Sequence, residues 1–94
     1  GGKNVAPQPI ENALKSSPLI ENAVLVGDGF PFVAALISTD PGGVAAWASE
    51  SGKDPSDPAL LEDPALVAEI GAVVAEVNLT LARSEQVKRF AILP

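Results

Sequence analysis

The first four residues, Gly1-Gly2-Lys3-Asn4, are the ones whose types best suit holding a ligand. Glycine has no Cβ, so a backbone built from it can approach a bound group closely, and here a cation and an amide stand directly beside it. The same four residues also fit an ordinary turn after a strand, and their spacing matches neither a phosphate-cradling loop of the Walker type nor a GxGxxG turn. Elsewhere the chemistry-bearing types are thin. The chain has no Cys and no His, which removes disulfides, thiolate nucleophiles, imidazole bases and zinc sites from these 94 residues. Asp54, Asp57, Glu62 and Asp63 crowd carboxylates together, yet they alternate with prolines instead of following a calcium-loop spacing, and they read as helix caps and solubilising charges. Lys53, Lys88 and Arg89 read as surface cations. Asn78-Leu79-Thr80 fits the glycosylation acceptor pattern by chance, inside a helical stretch. Trp47 has the ring to stack on a base or an acyl chain, but on an Ala-rich amphipathic helix it reads as a packing residue at the core or the domain edge.

The balance of charge sets limits on partners. Six basic residues against twelve acidic ones leave a formal charge of −6. A nucleic-acid surface needs clustered cations to displace counterions, so none is expected. A phosphate-bearing ligand would be held by a few local groups only. No charged leader with an apolar core is visible, and the apolar stretches are broken by Glu, Asn or Gly well short of a membrane span. The expected compartment is the cytoplasm. Ninety-four residues suffice for one domain, 1–94, with a modest core. An opening on two glycines without Met and an ending on Ile-Leu-Pro lead us to expect a piece of something longer.

Elements to position the first loop can be read from periodicity and punctuation. A short helix is expected at 9–16, with Pro9 in the first turn, where its missing N–H would lack a partner anyway, and Pro18 as a stop. Ile10, Ala13 and Leu14 form its apolar stripe, leaving Glu11, Asn12 and Lys15 in water. Two strands, 23–26 and 32–37, flank the turn Gly27-Asp28-Gly29-Phe30-Pro31 and read as an antiparallel hairpin. Their nearly continuous apolarity suggests central strands covered on at least one face. Asp40, Asp57 and Asp63 each precede a proline, the pattern of an N-cap followed by Pro at the first helical position. They predict a helix through Val44, Trp47 and Ala48 to Ser51, a single turn around Leu60, and a long helix over 64–83. On that last helix Leu66, Ile70, Val73, Val77 and Leu81 form the expected core stripe, with Glu69, Glu76 and Arg83 off it. Residues 51–58 read as a flexible connector. A third strand at 87–93 puts Phe90 and Ile92 on one face. The fold class is α+β in the order α-β-β-α-α-β, a sheet of about three strands with helices packed over it.

The run GGKNVAPQPIEN resembles the exposed loop and first helix of the small C-terminal domain of AMP-forming acyl-CoA synthetases, and most closely the long-chain fatty acid–CoA ligase branch. The family pattern, Gly-x-x-Ile/Val-x-Pro-x-Glu-Ile-Glu, is met at Gly2, Val5, Pro7, Ile10 and Glu11. It departs at Pro9, a departure the long-chain branch tolerates. VLVGDGFPFVAALIS resembles the strand, turn and strand that follow in such ligases, and SEQVKRFAILP resembles the strand leading to their final lysine segment. Residues 42–63 match in general character only.

The resemblance implies a mobile lid. In such ligases the loop swings onto the large N-terminal domain once the acyl-adenylate has formed, and its glycine backbone lines the tunnel for the pantetheine arm of CoA. Gly2 matches that glycine, with Lys3 and Asn4 beside it. Glu11 matches the family's helix glutamate, which also reads as a solvated charge. The adenylation lysine is expected beyond Pro94 and the hinge before Gly1, so the segment alone is expected to be inactive. ATP, CoA and Mg2+ are implied for the parent and none for the isolated segment. The implied partners are the parent's own N-terminal domain, a fatty acid and CoA, with no nucleic acid. Any membrane contact belongs to the parent outside this segment. Two other readings stand beside this one: the C-terminal domain of a ligase for aryl or amino acids, and a stand-alone acidic binding or regulatory module.

Overall fold

In the computed structural model the described residues are 6–27 and 31–94. They form α1 (Pro7–Lys15), β1 (Ile20–Val26), β2 (Val33–Thr39), α2 (Pro41–Glu50), α3 (Pro64–Asn78) and β3 (Val87–Ile92), with short 3-10 turns at Leu60–Glu62 and Arg83–Glu85. The element order is the expected one. The sheet runs β1-β2-β3, β1 antiparallel to β2 and β2 parallel to β3. A parallel pair needs a crossover, and α2 with α3 supplies it. The hairpin turn expected at 27–31 lies largely outside the described residues.

Two irregularities in the sheet decide which side chains reach the core. β1 begins at Ile20, three residues before the expected start, because the register shifts between Ile20 and Asn22. An extra residue there lets Ile20 and Ala23, an odd number of positions apart, both point inward at 3% and 2% exposure. A second shift, between Val33 and Ala34, sets Val87 opposite Val33 and Arg89 opposite Ala34. Lys88 is thereby the extra residue, and Val87, Phe90 and Ile92 all pack on the core side.

α1 lies over β1, α3 over β3, and the two helices touch. Leu14, Ile37, Leu66 and Ile70 are the largest fully buried side chains, at the meeting of helices and sheet. β2 alternates strictly, with Val33, Ala35 and Ile37 buried, whereas Leu36 stands 36% exposed on the other face beside its β1 partner Val24 at 47%. The continuous apolarity of these strands therefore reflects one covered face and one open apolar face among the described residues. β1 is also an edge strand in this sheet, not a central one.

Asp40 and Asp63 are the N-caps of α2 and α3 as expected, whereas the turn at Leu60–Glu62 has Ala59 at its N-cap and Asp57 stands before it. Asp40, Asp57 and Asp63 accept from the backbone N–H two residues on, at Gly42, Ala59 and Ala65, across 3.1, 2.9 and 2.8 Å. Proline at the intervening position has no N–H to compete. α2 closes at Gly52, whose φ of +73° is the left-handed conformation glycine takes readily. There Lys53 N–H bonds to Ala48 and Gly52 N–H to Ser49, so a helix-ending motif is complete. Asp54 accepts from both the N–H and the hydroxyl of Ser56. The expected connector at 51–58 is thus built from hydrogen-bonded turns.

α1 starts at Pro7, two residues early, with both Pro7 and Pro9 inside the first turn. α3 ends at Asn78, five residues short of the expected end. Polar side chains end it: the Thr80 hydroxyl donates to the Val77 carbonyl at 2.7 Å, and Asn78 turns its amide to β3.

α2 passes very close to the chain leaving α1. A Cβ at Gly43 would lie 2.7 Å from the Pro18 carbonyl carbon and closer still to its oxygen. Ala normally gains about 1 kcal/mol over Gly in a helix. Here the obstacle is backbone, which cannot rotate aside, so overpacking of roughly 1–3 kcal/mol outweighs that gain. Gly43→Ala is expected to lower the melting temperature in a thermal scan, where an ordinary helical glycine would raise it.

Candidate functional site

α1 follows directly on the loop expected to carry chemistry. Gly2, Lys3 and Asn4 themselves lie outside the described residues, and the geometry that bears on them is that of the helix they lead into. Its N-cap, Ala6, offers no side-chain acceptor. Its anchorage comes from the other end: Ile10 and Leu14 are buried, and Oε2 of Glu11 accepts a hydrogen bond from the Leu25 N–H at 2.9 Å.

Glu11 was expected in water. It is half-buried because β1 is an edge strand whose N–H groups on that side need acceptors, and a charged acceptor gives the stronger bond. The motif glutamate therefore ties α1 to the sheet.

At the far end of α3 a second polar contact sets β3. The Asn78 side chain donates Nδ2 to the Val87 carbonyl at 2.9 Å and accepts at Oδ1 from the Val87 N–H at 2.8 Å, as a neighbouring strand would. Gln86 donates to the Asn78 carbonyl at 3.3 Å. The residue matching the glycosylation pattern is thus a structural clamp, as the chance reading of that pattern allows. Asn78→Ala strips partners from two groups of a residue that is 4% exposed. At about 1–3 kcal/mol for an unsatisfied buried group, the melting temperature is expected to fall by roughly 5–15 °C. Asn78→Asp, which keeps the acceptor but sets a carboxylate oxygen against the Val87 carbonyl, is expected to melt below the wild type in the same calorimetric scan.

The isolated cations have local roles. Lys53 pairs with Asp63 at 3.0 Å, joining the turn after α2 to the N-terminus of α3. The Ala65 N–H, with Lys53 beside it, holds the Asp63 carboxyl below its ordinary range, and the Ser56 N–H and hydroxyl do the same for Asp54. Arg89 stands over the Phe32 ring, 5.6 Å from its centroid. Lys88 is exposed and donates to Gln86.

A groove of about 800 Å³ opens where the C-terminal end of α1, the turn after it, α2 and α3 converge. Trp47, half-buried against the core, and Val73 and Val77 supply its apolar lining. α3 buries Leu66, Ile70 and Val74 against the sheet. Val73, expected in that row, is half-buried and faces the groove.

No group of three or more His, Cys, Asp or Glu side chains placed to hold a metal ion occurs among the described residues, and no described helix is long and apolar enough to cross a membrane. Sequence reasoning missed the Glu11 and Asn78 contacts. Only Asn78 left a signal, an amide in the last turn of a helix shortly before a strand.

Comparison with known proteins agrees with this architecture. A family model described as the AMP-binding enzyme C-terminal domain matches residues 1–94. The chain is 44% identical over 96 positions to long-chain-fatty-acid–CoA ligase FadD15 of Mycobacterium tuberculosis, an alignment covering 100% of this chain and 16% of that protein. Against long-chain-fatty-acid–CoA ligase ACSBG2 of Gallus gallus it is 34% identical over 112 positions, covering 99% and 15%. The chain thus spans about a sixth of the length of these relatives. Among solved structures, the A-PCP didomain of carboxylic acid reductase from Segniliparus rugosus in complex with AMP superposes with a TM-score of 0.55 at 22% identity, over 98% of this chain and 12% of that one. That likeness supports the fold alone. With its helix-covered sheet, its tied first helix and a match running from end to end, the chain belongs to the AMP-binding enzyme C-terminal domain family.

Proposed function

We propose that this chain is the mobile C-terminal domain of a long-chain fatty acid–CoA ligase, one domain of a longer polypeptide whose large N-terminal domain is its partner. The observation that carries the reading is the alignment along the whole chain with FadD15, a long-chain-fatty-acid–CoA ligase, at 44% identity. The parent joins a fatty acid to ATP, giving acyl-adenylate and pyrophosphate, and then passes the acyl group to the CoA thiol with release of AMP.

ATP, CoA and Mg2+ belong to the parent. The cytoplasm is the compartment that fits this reading. What this chain contributes is position. Glu11, with Ile10 and Leu14 buried beside it, holds α1 on the sheet, and Gly2, Lys3 and Asn4 precede that helix in the chain. A backbone of glycine there lets the pantetheine arm pass. Closure of a small domain over the adenylate also keeps water from a reactive mixed anhydride.

The test is the acid the parent activates. Given ATP, Mg2+ and CoA with palmitate, benzoate or phenylalanine in parallel, the purified parent is expected to release palmitoyl-CoA and AMP. Thioester from benzoate alone, or adenylate from the amino acid alone, would assign the domain to a different ligase. No adenylate from any acid would leave a binding module.

A further inference from the structure

The groove between α1, α2 and α3 has a composition that neither the loop nor the lid mechanism uses. Its floor is apolar, from Trp47, Val73 and Val77, and its rim carries Glu50, Glu69 and Glu76, all exposed. No Lys or Arg is among the described residues that line it. α3 contributes Glu69 to Val77 to one wall, about 12 Å at 1.5 Å per residue, or roughly two helical turns.

That combination selects the chemistry of an occupant. A fatty-acid carboxylate, a CoA phosphate, a nucleic acid and an anionic membrane would each bring negative charge to three carboxylates in a chain of net charge −6. A purely polar cation would leave the apolar floor unmatched. An amphipathic helix with apolar residues at i, i+3, i+4 and i+7 and Lys or Arg on its flanks satisfies both features, and two turns is the length such anchors occupy. Trp47 is the type of residue that anchors such interfaces. α3 moreover shows two apolar rows: Leu66, Ile70 and Val74 are buried, and Val73 with Val77, half-buried at the edge of the core, also line the groove.

We infer that this groove is a docking site for a cationic amphipathic helix of a partner protein. The site is independent of the loop at residues 1–4 and of the identity of the acid the parent activates.

Trp47 is the sole tryptophan of the 94-residue chain, so its fluorescence reports on the groove directly. The probe is a fluorescein-labelled 14-residue helical peptide of Leu and Lys with leucines on one face. Two peptides serve as controls, one with Glu in place of Lys and one with Ser in place of Leu. The Leu/Lys peptide is expected to bind saturably in the micromolar range, shifting Trp47 emission and raising peptide anisotropy, while neither control does. Glu50→Gln, Glu69→Gln and Glu76→Gln combined are expected to weaken binding about tenfold. The same three changes at Glu21, Glu62 and Glu85, which do not line the groove, alter net charge equally and are expected to leave it nearly unchanged.

Equal weakening by both triple variants, binding of the Ser-for-Leu peptide, or no saturable change at Trp47 would overturn the site. Two further outcomes would assign the groove to another occupant and overturn the proposal as well. One is a dimer in sedimentation that Trp47→Ala dissolves, meaning a second copy. The other is loss of peptide binding when the full-length parent replaces the chain, meaning that the large domain covers the groove.

Discussion

Gly2→Leu in the full-length parent is expected to leave fatty-acid-driven ATP–pyrophosphate exchange near the wild-type rate while acyl-CoA formation falls by about 100-fold or more. The two half-reactions place different demands on this domain. On the lid reading proposed above, adenylation would proceed with the Gly2 segment turned away from the acid, whereas thioester formation would bring it against the pantetheine arm. A branched side chain then intrudes only in the second pose. The magnitude follows from how steeply rates depend on position, since a displacement near 1 Å costs roughly a hundredfold when the reacting atoms must be aligned. Pyrophosphate exchange and single-turnover acyl transfer measured on the same preparation read the two steps separately. If both fall while the domain stays folded, Gly2 is a turn residue; if neither falls, the loop does not approach CoA.

The second large effect concerns stability and separates the two apolar rows of α3. Ile70→Asp and Val74→Asp each bury an unpaired carboxylate against the sheet, at positions 0% and 5% exposed. Such a group costs several kcal/mol, a large part of the roughly 5–15 kcal/mol that holds a domain of this size together. Both variants are expected to be largely unfolded at 25 °C by circular dichroism. Val73→Asp, whose side chain reaches the groove and water, is expected to keep a cooperative melt with a loss near 1 kcal/mol, and Glu76→Gln to change stability by less than that. Comparable melting of Ile70→Asp and Val73→Asp would mean that the rows are wrongly assigned.

The same helix shows why part of the fold was legible and part was not. Residues 66, 70 and 74 and residues 73 and 77 are adjacent rows on one helix, and both are apolar, so periodicity alone merges them into a single stripe. Only packing distinguishes them. The aspartate–proline caps were legible because the chemistry is local: the acceptor and its N–H are two residues apart. The start of β1 was not, since Glu21 and Asn22 look like loop residues until the register shift shows that they occupy a bulge. Glu11 bonds to Leu25, fourteen residues away, and nothing near Glu11 announces an edge strand beside it. The motif around Gly2 was legible as family resemblance, while the clamp at Asn78 had first to be freed from a fortuitous pattern match.

The most direct test of the lid reading is a single-turnover transfer from preformed palmitoyl-adenylate to CoA, comparing the parent with a version lacking residues 1–94 and with the 94-residue chain alone. Adenylate binding measured in parallel confirms that the truncated parent is folded. The intact parent is expected to form palmitoyl-CoA rapidly, and the truncated parent and the isolated chain only at the uncatalysed rate. Transfer at full rate by the truncated parent would contradict the assignment of this domain to the thioester-forming step.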